Sequence, residues 1–243
     1  MLFFGFYLYG IFMTLHIDFQ TNARSSCVFC EPSAELILHE TTHFLLMLDP
    51  FALTPGHLLI SSRAHYSCLG EVPVELQGEA TELRNLAVSC LHKVFDQPVT
   101  RYEHGRAGHC LLLDKSARSC HHYHEHLIPK HLPLHEALET RFTYISYQSE
   151  KELCALYERY DEYLLVEEPD LGKRFYIAKG KIIEPHLLRT LSACCLGYPE
   201  RQNWENYDSC ELMLLGKQRL LTAAKENPFH FFGPHVDEIT LCE

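Results

Sequence analysis

Residues 122–126 read His-Tyr-His-Glu-His and run into Leu127-Ile128-Pro129. Side chains on a strand alternate faces with period 2. In an extended conformation His122, His124 and His126 therefore share one face, with successive Cβ atoms roughly 7 Å apart. Three imidazoles on one face build a core poorly. They suit a metal site, a proton-transfer site, or a nucleophile with its helpers. The chain holds 17 His, so some clustering arises by chance, and His121, His131 and His135 lie close by without this spacing. The alternation ending in Leu-Ile-Pro sets the triplet apart.

Upstream, Leu36–Glu40 and His43–Leu48 are short apolar runs separated by Thr41-Thr42, the pattern of a hairpin. Asp49-Pro50 and Thr54-Pro55-Gly56 are turn chemistry, and His57–Ser61 reads as a further strand. From Pro73 to Phe95, apolar residues at Leu76, Ala80, Leu83, Ala87, Cys90, Leu91 and Val94 keep helical spacing. Arg101–His104 and His109–Leu113 are strand candidates. Downstream, Lys130–Glu139, with one proline and three charges, reads as a connector. Glu150–Tyr160 reads as a helix. Glu162–Glu167 and Arg174–Lys179 read as strands joined by Pro169-Asp170-Leu171-Gly172. Pro185–Leu196 is a helix opened by Pro and stopped by Gly197, and Glu205–Lys225 is a longer one. Without regular βαβ alternation, this layout predicts an α+β fold with a mainly antiparallel sheet, helices packed on it, and a mixed α/β C-terminal extension. The expected segments are 1–24 (N-terminal), 25–137 (main domain) and 138–243 (extension).

Length and composition are those of a globular protein: 243 residues, 47% apolar and 22% charged. A formal charge of −11 argues against bulk binding to nucleic acid, which needs a cationic surface, and leaves room for a local phosphate pocket. Eleven Cys, odd in number and scattered, point to a reduced, cytoplasmic protein in which most thiols are small hydrophobes. Cys27-Val28-Phe29-Cys30 is the exception. Met1 to Leu15, MLFFGFYLYGIFMTL, is apolar but short of a bilayer span and lacks signal-peptide features. It reads as a weak anchor or as an over-extended start with Met13 the initiator; the second is preferred. No stable membrane span is expected.

Four signals together resemble the histidine triad (HIT) family of nucleotide hydrolases and transferases: Cys27-x-x-Cys30; the segment P-F-A-L-T-P-G-H-L-L-I-S-S-R-A-H from Pro50 to His65; Tyr102-Glu103-His104-Gly105; and the His strand. The family signature is His-φ-His-φ-His-φ-φ, with φ apolar. The resemblance spans roughly Ser26 to Pro133. It implies that His124 is a nucleophile forming a covalent nucleotidyl-histidine at an α-phosphate. It implies that His126 holds phosphate oxygens and that Ser119 contacts a phosphate or leaving-group atom. Asp49 would bind ribose hydroxyls, with His57 near the phosphate pocket and Glu103 near the leaving group. In many bacterial-type members and in the related galactose-1-phosphate uridylyltransferases, matching positions bind a structural zinc, which implies Cys27, Cys30, His65 and His122 as ligands. The implied substrate is a dinucleoside polyphosphate or nucleoside phosphoramidate, with release of a nucleoside monophosphate. A homodimer is implied by small members, although the extension could replace that interface inside one chain. The competing reading is a catalytically decayed nucleotide-binding or scaffold protein on the same fold.

The chain departs from the family pattern at several places. Glu125 occupies an apolar position of the signature; pointing away from the His face, it must be exposed or paired. His121 also replaces an apolar residue, Glu103 replaces the Asn of many members, and Gly105–Ser119 is longer than the usual link. In the extension, Pro185 to Leu191, Gly197 to Glu200 and Asn203 to Tyr207 echo larger HIT-like proteins, with His186-Leu187 in place of a polar pair. There Arg189 reads as a surface residue in preference to a phosphate contact. Trp204, the single Trp, reads as packing in preference to base stacking.

Overall fold

The computed structural model describes residues 27–106, 121–160, 162–204 and 206–226. The N-terminal segment 1–24, the strand expected at His109–Leu113, and Ser119 lie outside the described residues. Eight strands form one sheet: β1 (Ile37–Glu40), β2 (Phe44–Leu48), β3 (Leu58–Ser62), β4 (Thr100–Glu103), β5 (His124–Ile128), β6 (Thr143–Ser146), β7 (Tyr163–Glu168) and β8 (Gly172–Ile177). Their order is β1-β2-β3-β5-β4-β7-β8-β6, and every ladder between these strands is antiparallel. Among the described residues, five α-helices accompany them: α1 (Val74–Phe95), α2 (Leu134–Glu139), α3 (Glu150–Arg159), α4 (Leu187–Cys195) and α5 (Cys210–Glu226). The fold is α+β with a mainly antiparallel sheet, as the sequence pattern predicts. Among the described residues no helix is long and apolar enough to cross a membrane.

Three local readings are revised. The expected connector after Pro129 contains helix α2, whose Leu134 and Leu138 are fully buried; burial of this short apolar stripe outweighs the flanking prolines. The last helix begins at Cys210, not Glu205. Strand β6 was not foreseen. It pairs only with β8, and three of its four residues are exposed, so it carries little of the hydrophobic alternation that marks a strand. Helix α4 ends as expected at Gly197 (φ +81). The Gly197 N–H donates to the Cys194 carbonyl and the Tyr198 N–H to the Ala193 carbonyl, a paired closure that needs a left-handed residue at that point.

The extension continues the main sheet. Strand β7 pairs with the outer side of β4 through Arg101↔Glu167, Tyr102↔Val166 and Glu103↔Leu165. That edge of β4 is therefore closed within the chain. The two sheet faces carry separate cores. Leu127, Leu165 and Phe175 point into a core with Leu83, Ala87 and Leu91 of α1, Leu153 of α3 and Leu220 of α5. Tyr102, Ile128, Leu164, Val166 and Tyr176 point the other way, against Leu134 and Leu138 of α2 and Leu187 and Leu188 of α4.

Glu125 is fully buried on the α1 side. The Arg84 Nε of α1 donates to its Oε1 at 2.8 Å and the Arg101 Nε of β4 to its Oε2 at 2.7 Å. Arg101 reaches on to Glu167 of β7 at 3.2 Å. Burial alone would raise the Glu125 pKa, but Arg101 and then Arg84 outweigh it and hold the carboxyl below its ordinary range. The charge at the apolar position of the signature is thus paired. Glu125→Ala would strand two buried guanidiniums and is expected to cost about 3–5 kcal/mol. Replacing the trio together (Arg84→Met, Glu125→Leu, Arg101→Met) should recover most of that loss, measured by urea unfolding monitored by circular dichroism.

Candidate active site and metal centre

Strand β5 lies between β3 and β4, with His126 opposite Leu59 on one side and Tyr102 on the other. This register places His124 and His126 on the face opposite Glu125, with ring centroids 5.1 Å apart. Asp49 follows β2 and His57 precedes β3, so the turn-rich loop between them brings both to the same place. The His57 Nε2 lies 2.9 Å from the His126 Nδ1 and 3.3 Å from the Asp49 Oδ2, and His126 lies 3.6 Å from the same oxygen. Four positions inferred from sequence, Asp49, His57, His124 and His126, thus meet on this face of β5.

Backbone groups set the ring protons. The Leu53 N–H donates to His57 Nδ1 at 3.1 Å, so the His57 proton sits on Nε2. It is donated to His126 Nδ1, leaving the His126 proton on Nε2. His124 Nδ1–H donates to the His122 carbonyl at 2.8 Å. The lone pair of His124 is therefore on Nε2, away from the backbone. Burial lowers His57, His124 and His126 to about 4 each, so all three are neutral imidazoles at pH 7. For Asp49 burial acts upward, but the neighbouring His57 and His126, with Arg189, outweigh it and hold the carboxyl below the ordinary range.

Sequence reasoning missed or misplaced four residues. Phe29, inside Cys27-x-x-Cys30, stacks on His124 at 4.4 Å and 18°. Tyr102 stacks on His126 at 4.5 Å and 22°; alternation along β4 was the available signal, since it puts Tyr102 on the His face. Arg189 is buried rather than on the surface. Its guanidinium is held by the carbonyls of Arg201 (2.9 Å) and Gln202 (3.3 Å), and its charge reaches Asp49, His57 and His126. Glu103 is not brought to the cluster. It lies on the α1 side of the sheet, opposite Glu125, and accepts from the Leu69 N–H at 2.8 Å and the Tyr163 hydroxyl at 3.0 Å. Asp49 also departs from expectation. At 3% exposure, with Oδ1 accepting from the Phe51 N–H at 2.7 Å and Oδ2 facing two imidazoles, it offers no open oxygen for ribose in this arrangement. Trp204 packs on Phe51 at 5.0 Å.

The four candidate metal ligands form a second group beside the first. Donor atoms of Cys27, Cys30, His65 and His122 all lie within 4.8 Å of one another. Cys27 Sγ is 3.4 Å and Cys30 Sγ 3.5 Å from His122 Nδ1, and Cys30 Sγ is 3.2 Å from His65 Nδ1. A tetrahedral ion with thiolates and imidazoles at ordinary zinc distances spaces sulfur and nitrogen about 3.5 Å apart. His122 Nε2–H donates to the Ser62 carbonyl at 2.7 Å, which leaves Nδ1 free to ligate and fixes the ring. Burial, then Cys27, push the Cys30 thiol up to about 11; a divalent cation reverses that balance by stabilising thiolates. The residues fit a closed Cys2His2 zinc site.

Residues 32–132 match the family model of the HIT domain. The chain carries a HIT domain over these residues, and its site lies where this domain brings the alternating histidines together. Among curated proteins no match is found. Similar solved structures include a HIT family protein from Bacillus anthracis str. 'Ames Ancestor' (21% identity, 44% of this chain and 74% of that chain, TM-score 0.34). Another is a hypothetical histidine triad nucleotide-binding protein from Sulfolobus tokodaii strain7 (20% identity, 43% and 68%, TM-score 0.33). A third is a hypothetical protein from Leishmania major (23% identity, 55% and 92%, TM-score 0.35).

Glu103 generates a pH prediction. Burial raises its carboxyl from 4.5 to about 7, so between these values the folded state holds a proton that the unfolded chain has lost. Stability must fall as pH rises through that window. Glu103→Gln keeps the acceptor oxygen and removes the ionisation. It should stabilise the protein by up to about 3 kcal/mol at pH 8 and by clearly less at pH 5, compared in denaturant melts at the two pH values.

Proposed function

We propose that the protein is a nucleotidyl hydrolase or transferase acting at an α-phosphate, on a dinucleoside polyphosphate or nucleoside phosphoramidate. The observation that carries this reading is the His124 ring. Its Nδ1–H is committed to the His122 carbonyl, so a neutral Nε2 lone pair is presented beside the Asp49–His57–His126 group. In the first step His124 Nε2 attacks the α-phosphorus, and the bond from phosphorus to the leaving group breaks with its electron pair on the leaving atom. His126 Nε2–H donates to a phosphoryl oxygen as charge gathers there. His57, fixed by Leu53, keeps His126 in that tautomer, and Asp49 holds the pair in place. Water or another acceptor then takes the nucleotidyl group from His124, and with water the product is a nucleoside monophosphate. The negative net charge of the whole chain favours a small nucleotide over a polymer. A cytoplasmic site of action goes with the Cys usage. With β7 on β4, that sheet edge is closed to a second copy.

The same reading assigns Cys27, Cys30, His65 and His122 to a structural zinc ion. When bound, zinc would tie the turn at Cys27 to the segment entering β5, supplying rigidity and no chemistry on the substrate. Phe29 lies between the two thiols and rests on His124, so the same clamp would hold the nucleophile's ring.

His124→Ala should abolish turnover in a screen of dinucleoside polyphosphates and nucleoside phosphoramidates, and mass spectrometry of quenched wild type should find a nucleotide joined to His124. Unchanged turnover in the variant would sink the mechanism; nucleotide binding without turnover in wild type would favour the decayed, scaffold reading. For the metal, elemental analysis should give one zinc per chain in wild type and a clear loss in Cys27→Ser, with a lowered melting temperature. Zinc at the same level in both proteins would refute the assignment.

A further inference from the structure

The loop from Asp49 to His57 carries two members of the histidine cluster, and four hydrogen bonds join its own residues: Asp49 N–H to the His57 carbonyl at 3.2 Å, His57 N–H to the Thr54 carbonyl at 3.1 Å, Phe51 N–H to Asp49 Oδ1 at 2.7 Å and Leu53 N–H to His57 Nδ1 at 3.1 Å. Its remaining support comes from far along the chain. The Ser209 hydroxyl donates to the Pro50 carbonyl at 2.9 Å. Trp204 packs on Phe51 at 5.0 Å. Arg201 Nη1 donates to the Leu53 carbonyl at 2.7 Å. Helix α5 then meets the loop backbone to backbone at Gly216, where a Cβ would lie 2.5 Å from Gly56 N and 3.4 Å from the Pro55 carbonyl carbon. On its other side Gly56 (φ +83) lies against the Phe95 ring of α1, where a Cβ would also come within 2.5 Å. The loop is thus packed between α5 and the Phe95 ring.

We propose that Arg201, Trp204, Ser209 and Gly216 form a brace that positions the Asp49–His57 loop and, through Leu53 and His57, orients His126. The path is short. Arg201 holds the Leu53 carbonyl, the Leu53 N–H sets the His57 tautomer, and His57 sets that of His126. Arg201 and Gly216 are positioning residues; neither touches the histidines. The extension is therefore part of the architecture of the site. Its catalytic consequence rests on the function proposed above, while the brace itself does not.

The test compares Gly216→Ala and Arg201→Ala with Gly78→Ala in the full-length protein. Gly78 is a second helical glycine, on α1, with open space where its Cβ would be, so it controls for helix propensity. Long-range 15N–1H NMR of the histidine rings, with His57 assigned from the spectrum of His57→Gln, reads the tautomer directly. Wild type and Gly78→Ala should show His57 protonated on Nε2. Gly216→Ala and Arg201→Ala should show a tautomer mixture, and Arg201→Lys, which keeps a donor, should move part of the way back. Turnover in the two brace variants should fall by roughly tenfold to a hundredfold, the size of effect a displaced catalytic group produces, with KM little changed. Should Gly216→Ala melt too low to study, Arg201→Ala and Ser209→Ala carry the same reading. Wild-type His57 signals in both Arg201→Ala and Ser209→Ala would overturn the brace. A shifted tautomer in a protein whose wild type turns over no nucleotide would leave the brace standing and reject the enzyme reading instead.

Discussion

Glu125, locked between Arg84 and Arg101, is the interaction on which the rest depends. It joins four elements at one point: α1 through Arg84, β4 through Arg101, β5 itself, and β7 through Glu167. A buried ion pair is a poor source of net stability, because desolvation of the charges offsets most of their attraction. Its effect here is on register. Slipping β5 by one residue would turn Glu125 to the opposite face and take from Arg84 and Arg101 the carboxylate they share. The same slip would send His124 and His126 into the α1-side core. Pairing on one face therefore decides where the histidines point on the other.

With the faces assigned, backbone groups do the finer positioning. The His122 carbonyl, the Leu53 N–H and the Ser62 carbonyl each bond one imidazole nitrogen and thereby decide what the other nitrogen can do. Three histidines become a nucleophile candidate, a relay partner and a metal-ligand candidate through these bonds. Backbone groups suit the task because the sheet and the closed loop already hold them still, so little ordering cost falls on the site.

The extension contributes to both levels. Its strands cover the outer edge of β4, and α4 backs the His face with Leu187 and Leu188 beside Tyr102. Arg189, buried under that helix, adds a positive charge within reach of Asp49 and His126. Arg201, Trp204, Ser209 and Gly216 grip the loop after β2. Sheet, charge and loop support thus come from residues remote in the chain from the signature they serve.

Much of the site was legible in the sequence because its parts obey short-range rules. Period 2 put His124 and His126 on one face, and turn residues between Asp49 and His57 folded that loop back. The resemblance brought Cys27, Cys30, His65 and His122 forward as one group, which the structure gathers within ligand distance of one another. Other features depended on which partner lies across a ladder or a helix contact, and no local pattern encodes that. Glu103 looked like a site residue until the pairing of β4 with β5 set it beside Glu125. Asp49 looked open until two imidazoles closed on it. Arg189 and Gly216 looked unremarkable, since a guanidinium's neighbours and a glycine's contacts are set by packing between distant segments. The sequence by itself determined the alternation, the turns and the donor chemistry. Only the tertiary structure decided the facing, the tautomers and the brace, because each depends on groups brought together by long-range pairing.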